Sequence, residues 1–178
     1  MNPTVIIQKY YQQGTRLYEI FMSHANSVAT RSVELAKKHP ELELDIDFVY
    51  EAGMLHDIGI YLTDAPEIDC FGVYPYICHG YLGAELLQQE GYPKHALVCE
   101  RHTGTGISLN HIMKNNLPLP HRDMQPQTLE EQLICFVDLF YSKTKLGKTK
   151  ETENIREKMQ RTGKGSITKF DKWCELFL

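Results

Sequence analysis

Apolar residues recur three and four positions apart along most of this chain, which is the spacing of an amphipathic helix. Asn2 to Gln13 reads as a short leading helix, with Pro3 in its first turn and Gly14 ending it. Thr15 to His39 reads as a longer one stopped by Pro40, with Leu17, Ile20, Phe21, Ala25, Val28 and Leu35 on its inner face. Phe48, Ala52 and Leu55 mark a third, capped by Asp45 or Asp47, with Gly59 as the residue that leaves it. Helices follow from about Tyr76 to Glu90 and from Pro93 to His102, the second broken by Thr103-Gly104-Thr105-Gly106. Thr128 opens another, at capping-box spacing from Glu131. Its run from Leu133 to Tyr141 is apolar around the whole circumference, the mark of a central helix. Glu151 to Arg161 reads as a charged surface helix. The last helix, capped by Ser166, docks through Ile167, Phe170, Trp173, Cys174 and Phe177. Thr63–Pro75 reads as a loop and Leu109–Gln127 as mostly loop, and no strand pair stands out. The pattern predicts an all-α single domain over 1–178, a bundle of roughly seven or eight helices.

Several polar residues interrupt that pattern. His24 falls on the apolar face of its helix, where a lone histidine is ordinarily a satisfied core residue. His56 and Asp57 sit side by side at a helix end among apolar neighbours, and a buried carboxylate needs a partner. A histidinium, a backbone amide or a divalent cation would each serve. His79 lies near a helix start and His102 at a helix end. Asp138 stands in the middle of the all-apolar run, where a carboxylate again requires pairing or coordination. His111 and His121 fall in a polar loop and read as solvated.

Composition narrows the function classes. A length of 178 residues, 42% hydrophobic and 24% charged, suits a soluble globular domain with a sizeable core. The net charge of −4 argues against binding a nucleic-acid polymer but leaves room for a small anion beside a bound cation. No apolar run approaches the roughly 18 residues of a membrane span. The N-terminus lacks a signal-peptide pattern. The five cysteines form no Cys-x-x-Cys pair and read as reduced thiols of a cytoplasmic protein, with Cys78 and Cys99 as buried apolar neighbours. Gly163-Lys164-Gly165-Ser166 lacks the spacing of a phosphate loop.

Taken together, the order His24, His56-Asp57, His79, His102, Asp138 resembles the HD superfamily of metal-dependent phosphohydrolases, and His56-Asp57-Ile58-Gly59 is similar to its HDIG subgroup. The likeness covers a motif core of about Met22 to Lys145 and leaves 150–178 as C-terminal helices packing on that core. It implies a helical bundle with the metal site in its interior. His24, His56, Asp57 and Asp138 would bind one cation; His79 and His102 would complete a second site bridged by Asp57. Imidazole and carboxylate ligands suit iron, manganese, nickel, cobalt or zinc. The implied reaction is hydrolysis of a phosphate ester or anhydride by metal-activated hydroxide, on a nucleotide-like or other small phosphorylated metabolite, dinucleoside polyphosphates included. Arg101, Lys143 and Lys145 are the candidate phosphate contacts, although cations at helix ends need no functional reason. Two other functions share this ligand set: a di-iron oxygenase and a non-catalytic nucleotide-binding module. Two features depart from the family pattern. Ile60 stands where many HDIG members carry lysine, and Gly91-Tyr92-Pro93 lacks the context of cyclic-di-GMP phosphodiesterases. The outer side of the last helix is a candidate surface for pairing with a second copy.

Overall fold

The computed structural model describes residues 1–178. Nine α-helices carry the fold: α1 (Pro3–Tyr10), α2 (Arg16–Lys38), α3 (Ile46–Leu55), α4 (His79–Gln89), α5 (Pro93–Arg101), α6 (Leu109–Lys114), α7 (Leu129–Asp138), α8 (Thr152–Thr162) and α9 (Lys164–Phe177). The expected all-α class holds. No helix is long and apolar enough to cross a membrane.

Side-chain caps start several helices where the sequence places them. Thr15 accepts from the Tyr18 amide, Asp45 from Phe48 and Thr128 from Glu131, at 3.2, 3.0 and 3.2 Å. Each such cap is worth about 1 kcal/mol. Asp45, not Asp47, therefore caps α3. The last helix departs from expectation: α9 begins at Lys164, with Gly163 before it, so Ser166 lies inside its first turn. The stretch from Leu109 is also not all loop, because Ser108 caps the short α6 through the His111 amide.

A small sheet was not legible. Strands β1 (Thr63–Ala65), β2 (Cys70–Phe71) and β3 (Tyr74–Pro75) lie in the order β2-β1-β3, with β1 antiparallel to β2 and parallel to β3. Strands of two or three residues are too short to show a period-two pattern. The sheet folds the connection between α3 and α4 into a compact flap.

The core divides into two large clusters. One gathers Ile6, Ile7 and Tyr11 from α1 and its exit with Phe21, Leu55, Ile58 and Leu87. The other gathers Val28, Leu35, Val49 and Phe136 with Phe170, Trp173 and Phe177 of α9. Phe136 is fully buried and packs 5.7 Å, centroid to centroid, from both Phe170 and Phe177. That burial stabilises the docking of α9 on α7 by about 1.5–3 kcal/mol for the one ring. Helices α2 and α3 feed both clusters, and His24 lies on α2 between Phe21 of one and Val28 of the other.

Gly59 has a different role from the one its position suggests. Its φ is −85°, so it is not a left-handed helix exit. A β-carbon there would lie 2.3 Å from the His79 carbonyl oxygen and 2.5 Å from the Gly83 nitrogen. Close approach of α4, not backbone handedness, demands glycine.

Candidate metal centre

Six side chains meet at the seam between the two clusters. α3 ends at Leu55, and His56 and Asp57 follow in the tight turn that leads to Gly59. α2 presents His24, α4 begins with His79, His102 caps the end of α5, and Asp138 is the last residue of α7. The histidines and Asp57 are buried. Four helix ends and one helix face thus converge, and adjacent residues reach one point because a turn, not a helix, carries them.

The donors fall into two groups that share Asp57: His24, His56, Asp57 and Asp138 in one, Asp57, His79 and His102 in the other. Asp57 gives one oxygen to each. Oδ2 lies 3.0 Å from His24 Nε2 and 3.1 Å from His56 Nε2. Oδ1 lies 3.4 Å from both His79 Nε2 and His102 Nε2. Asp138 Oδ1 closes the first group at 2.9 Å from His24 Nε2 and 3.5 Å from His56 Nε2.

The tautomers explain what these atoms can do. His56, His79 and His102 each hydrogen-bond through Nδ1 to a carbonyl three residues back, Gly53, Tyr76 and Cys99, at 2.7, 2.6 and 2.7 Å. A carbonyl only accepts, so Nδ1 carries the proton and a neutral ring presents its Nε2 lone pair to the centre. Two such nitrogens, those of His79 and His102, face each other at 3.1 Å, as do those of His24 and His56 at 3.2 Å. Neither Asp57 oxygen has a hydrogen bond of acceptable geometry. Lys143 pairs with Oδ2 alone, so the facing lone pairs of His79 and His102 and the Oδ1 beside them repel unless a cation lies among them. Ligands about 2.1 Å from a shared ion sit roughly 3.0–3.4 Å from one another, which is the spacing found here. The donor set fits a divalent metal.

The electrostatics differ between the groups. Burial works against charge on His56, yet Asp57 and Asp138 outweigh it and push its pKa up to about 10. For His79, burial and then the neighbouring His102 push it down to about 3. Burial would raise the Asp57 carboxyl, but Lys143 and His56 prevail and hold it well below the usual carboxylate range. In the metal-free protein His56 therefore carries a second proton at neutral pH. Its own contribution to metal-free stability is full below about pH 6.5 and is lost as pH rises through 10. A cation must displace that proton. Metal titrations at pH 7.5 in buffers of different ionisation enthalpy should thus show release of about one proton, with affinity strengthening as pH rises. Heats independent of the buffer would refute the displacement.

The three candidate phosphate contacts separate. Lys143 reaches the centre: its ammonium lies 2.5 Å from Asp57 Oδ2 and 5.9 Å from the Tyr76 ring centroid. Lys145 is exposed and points at nothing in the site. Arg101 is a correction. Adjacent helical positions diverge by about 100°, so next to an inward His102 it turns away. Its Nη1 donates to both Glu131 oxygens at 3.0 Å, tying α5 to α7. Glu131 also accepts from the Gln127 amide at 2.7 Å. Arg101→Ala should lower stability by about 3 kcal/mol, since it leaves a buried carboxylate without its cation, and should leave metal content unchanged. Denaturant melts and metal analysis of the same sample would check both.

A cavity of about 220 Å³ opens onto the metal ligands. Part of its wall was missed in the sequence: Asn154 and Lys158 of α8, and Lys150 before it. Lys150 Nζ donates to the Leu139 and Tyr141 carbonyls at 2.9 and 2.7 Å, bracing the chain that leads to Lys143. The signal for α8 was present in Ile155 and Met159. These buried residues four apart lay one side of the helix on the core and leave Lys158, still exposed, at the rim of the cavity.

The HD domain family matches residues 21–141. An uncharacterised protein of Methanocaldococcus jannaschii is 36% identical over 123 residues, covering 67% of this chain and 65% of that protein. The tRNA (cytidine(56)-2'-O)-methyltransferase of Picrophilus torridus is 30% identical over 121 residues, 67% of this chain and 31% of the enzyme. The chain thus spans just under two thirds of the first relative and about a third of the second. No solved structure matches.

Proposed function

This chain belongs to the HD domain family, and on that premise we propose that it is a metal-dependent hydrolase of a phosphate ester or anhydride in a nucleotide or other small phosphorylated metabolite. The observation that carries the reading is the pair of donor groups sharing Asp57, with the Nδ1 atoms of His56, His79 and His102 tied to carbonyls so that each ring turns Nε2 to the centre. His24, His56, Asp57 and Asp138 would hold one ion, and Asp57, His79 and His102 a second, with iron, manganese, nickel, cobalt or zinc suited to the ligands. A bound divalent ion lowers the pKa of its water and offsets charge developing on a phosphoryl oxygen.

The chain's own residues do the rest. The three backbone-tethered imidazoles keep their orientation without rotamer search, so the donor set is preorganised. Lys143 takes the part of the lysine that Ile60 does not supply. Ile60 is fully buried, whereas the Lys143 ammonium stands at the site edge, where a phosphate oxygen would give it a second partner. Tyr76 stacks on His79, centroids 4.7 Å apart, and walls that side against water.

Protein loaded in turn with Mn²⁺, Fe²⁺, Co²⁺ and Ni²⁺ should release phosphate from at least one member of a panel of phosphomonoesters, nucleotides and dinucleoside polyphosphates. Silence across the panel with metal bound would sink the hydrolase. Oxygen uptake by an anaerobically prepared di-iron form would replace it with oxygenase chemistry.

A further inference from the structure

A second cavity, of about 440 Å³, adjoins the first. The two share Thr103, Gly104, Leu139, Lys158 and Met159 as a common wall, so the chambers lie side by side. The metal chamber alone, at about 220 Å³, falls below the roughly 300–1,000 Å³ of ordinary small-molecule sites. It has room for a phosphoryl group and little more. The outer chamber is large enough for the remainder of a substrate.

Building on the phosphohydrolase reading, we propose that the outer chamber is the leaving-group subsite, and that the substrate is a phosphomonoester with a neutral, nucleoside-sized body. Its walls set that class. Ile107 and Leu117 offer apolar surface, while Ser108, Thr162 and Ser166 offer hydroxyls. Its other ammonium, Lys169, is already committed to the Thr105 carbonyl at 3.0 Å and to Gln125 Oε1 at 2.5 Å. The ion pairs of α8 run from Arg156 and Arg161, which leaves Lys158 without a carboxylate. One free cation on the wall common to both chambers matches one phosphate at their junction. A chain of phosphates would need more positive charge in the outer chamber than the walls provide. Thr162, Ser166 and Lys158 of its wall come from α8 and α9, which lie beyond residue 141, where the family match stops. In the reaction a water oxygen bonds to phosphorus and the bond from phosphorus to the ester oxygen breaks. The water's proton ends on that oxygen, leaving inorganic phosphate and the alcohol.

The test is calorimetric binding to the manganese-loaded full chain, using phosphonates that cannot turn over. The 5′-methylenephosphonates of adenosine and uridine carry a nucleoside body, and methylphosphonate does not. At least one nucleoside phosphonate should bind about tenfold more tightly than methylphosphonate, or better. Thr162→Trp and Ser166→Trp, at exposed and half-buried positions that tolerate bulk, should bring that ratio close to one. Equal affinities in the unsubstituted protein overturn the subsite, as does a ratio unchanged in both folded variants. A dinucleoside polyphosphate binding more tightly than either nucleoside phosphonate overturns the monoester. Failure of methylphosphonate and both nucleoside phosphonates to bind, together with no turnover of any phosphate ester, removes the phosphohydrolase itself.

Discussion

Asp57→Ala is expected to abolish binding of both ions at once and to lower phosphate release by about a thousandfold or more, several kilocalories of lost charge stabilisation. The reason is the division of its carboxylate, with Oδ2 toward His24 and His56 and Oδ1 toward His79 and His102. No other residue belongs to both groups. His79→Ala, by contrast, should lose one equivalent of metal and keep the other. Asp57→Asn separates charge from shape, since it preserves volume and removes the anion. Metal analysis after dialysis gives the stoichiometry, and thermal melts give an independent readout. An ion present at a hundred times its Kd stabilises the native state by about 2.7 kcal/mol. Added Mn²⁺ should therefore raise the melting temperature of the unsubstituted chain and leave that of Asp57→Ala unmoved. Two equivalents of tightly held metal in Asp57→Ala would dispose of the bridging role.

Gly59→Ala should be among the most damaging small substitutions in the fold, at about 3 kcal/mol or more. The new methyl would meet backbone atoms, the His79 carbonyl at 2.3 Å and the Gly83 nitrogen at 2.5 Å, and backbone cannot rotate aside as a side chain can. Relief requires α4 to move as a body, and His79 moves with it. Protein that still folds should then hold one ion weakly or not at all on the His79 side. Gly165→Ala is the control, because nothing lies within 4 Å of its added methyl and the residue sits in a helix. That change should be neutral or stabilising by up to about 1 kcal/mol. Equal unfolding midpoints for the two variants would contradict the close-packing account of Gly59.

The donor set was legible because polar residues in apolar surroundings are conspicuous. Asp138 in an all-round apolar helix announced an unmet electrostatic need, whereas His24 alone read as a satisfied core residue and joined the set only through the order of the whole motif. The structure brings both to one point with His56 and Asp57. What escaped was direction. Arg101 and His102 are neighbours in the chain, but only the turn of the helix decides which faces inward, and Glu131, thirty residues on, decides where the guanidinium rests. Gly59 read as a helix exit, and nothing local could show otherwise because the contact that demands glycine is with α4. Lys158 was hidden by its surroundings. A helix with Glu, Arg and Lys at most positions reads as solvent-facing until the burial of Ile155 and Met159 shows which way it leans.

The position of the donors on the seam between the two core clusters has a consequence for assembly. His24, Asp57 and His102 sit on or beside helices that contribute to both clusters, His79 on an element of the first, and Asp138 on an element of the second. Neither cluster alone anchors all six donors, since His79 depends on the first and Asp138 on the second. Loosening the second half would cost the ion that Asp138 helps to hold, and loosening the first would cost the ion on the His79 side. The number of ions captured is thus a report on which half of the molecule is ordered.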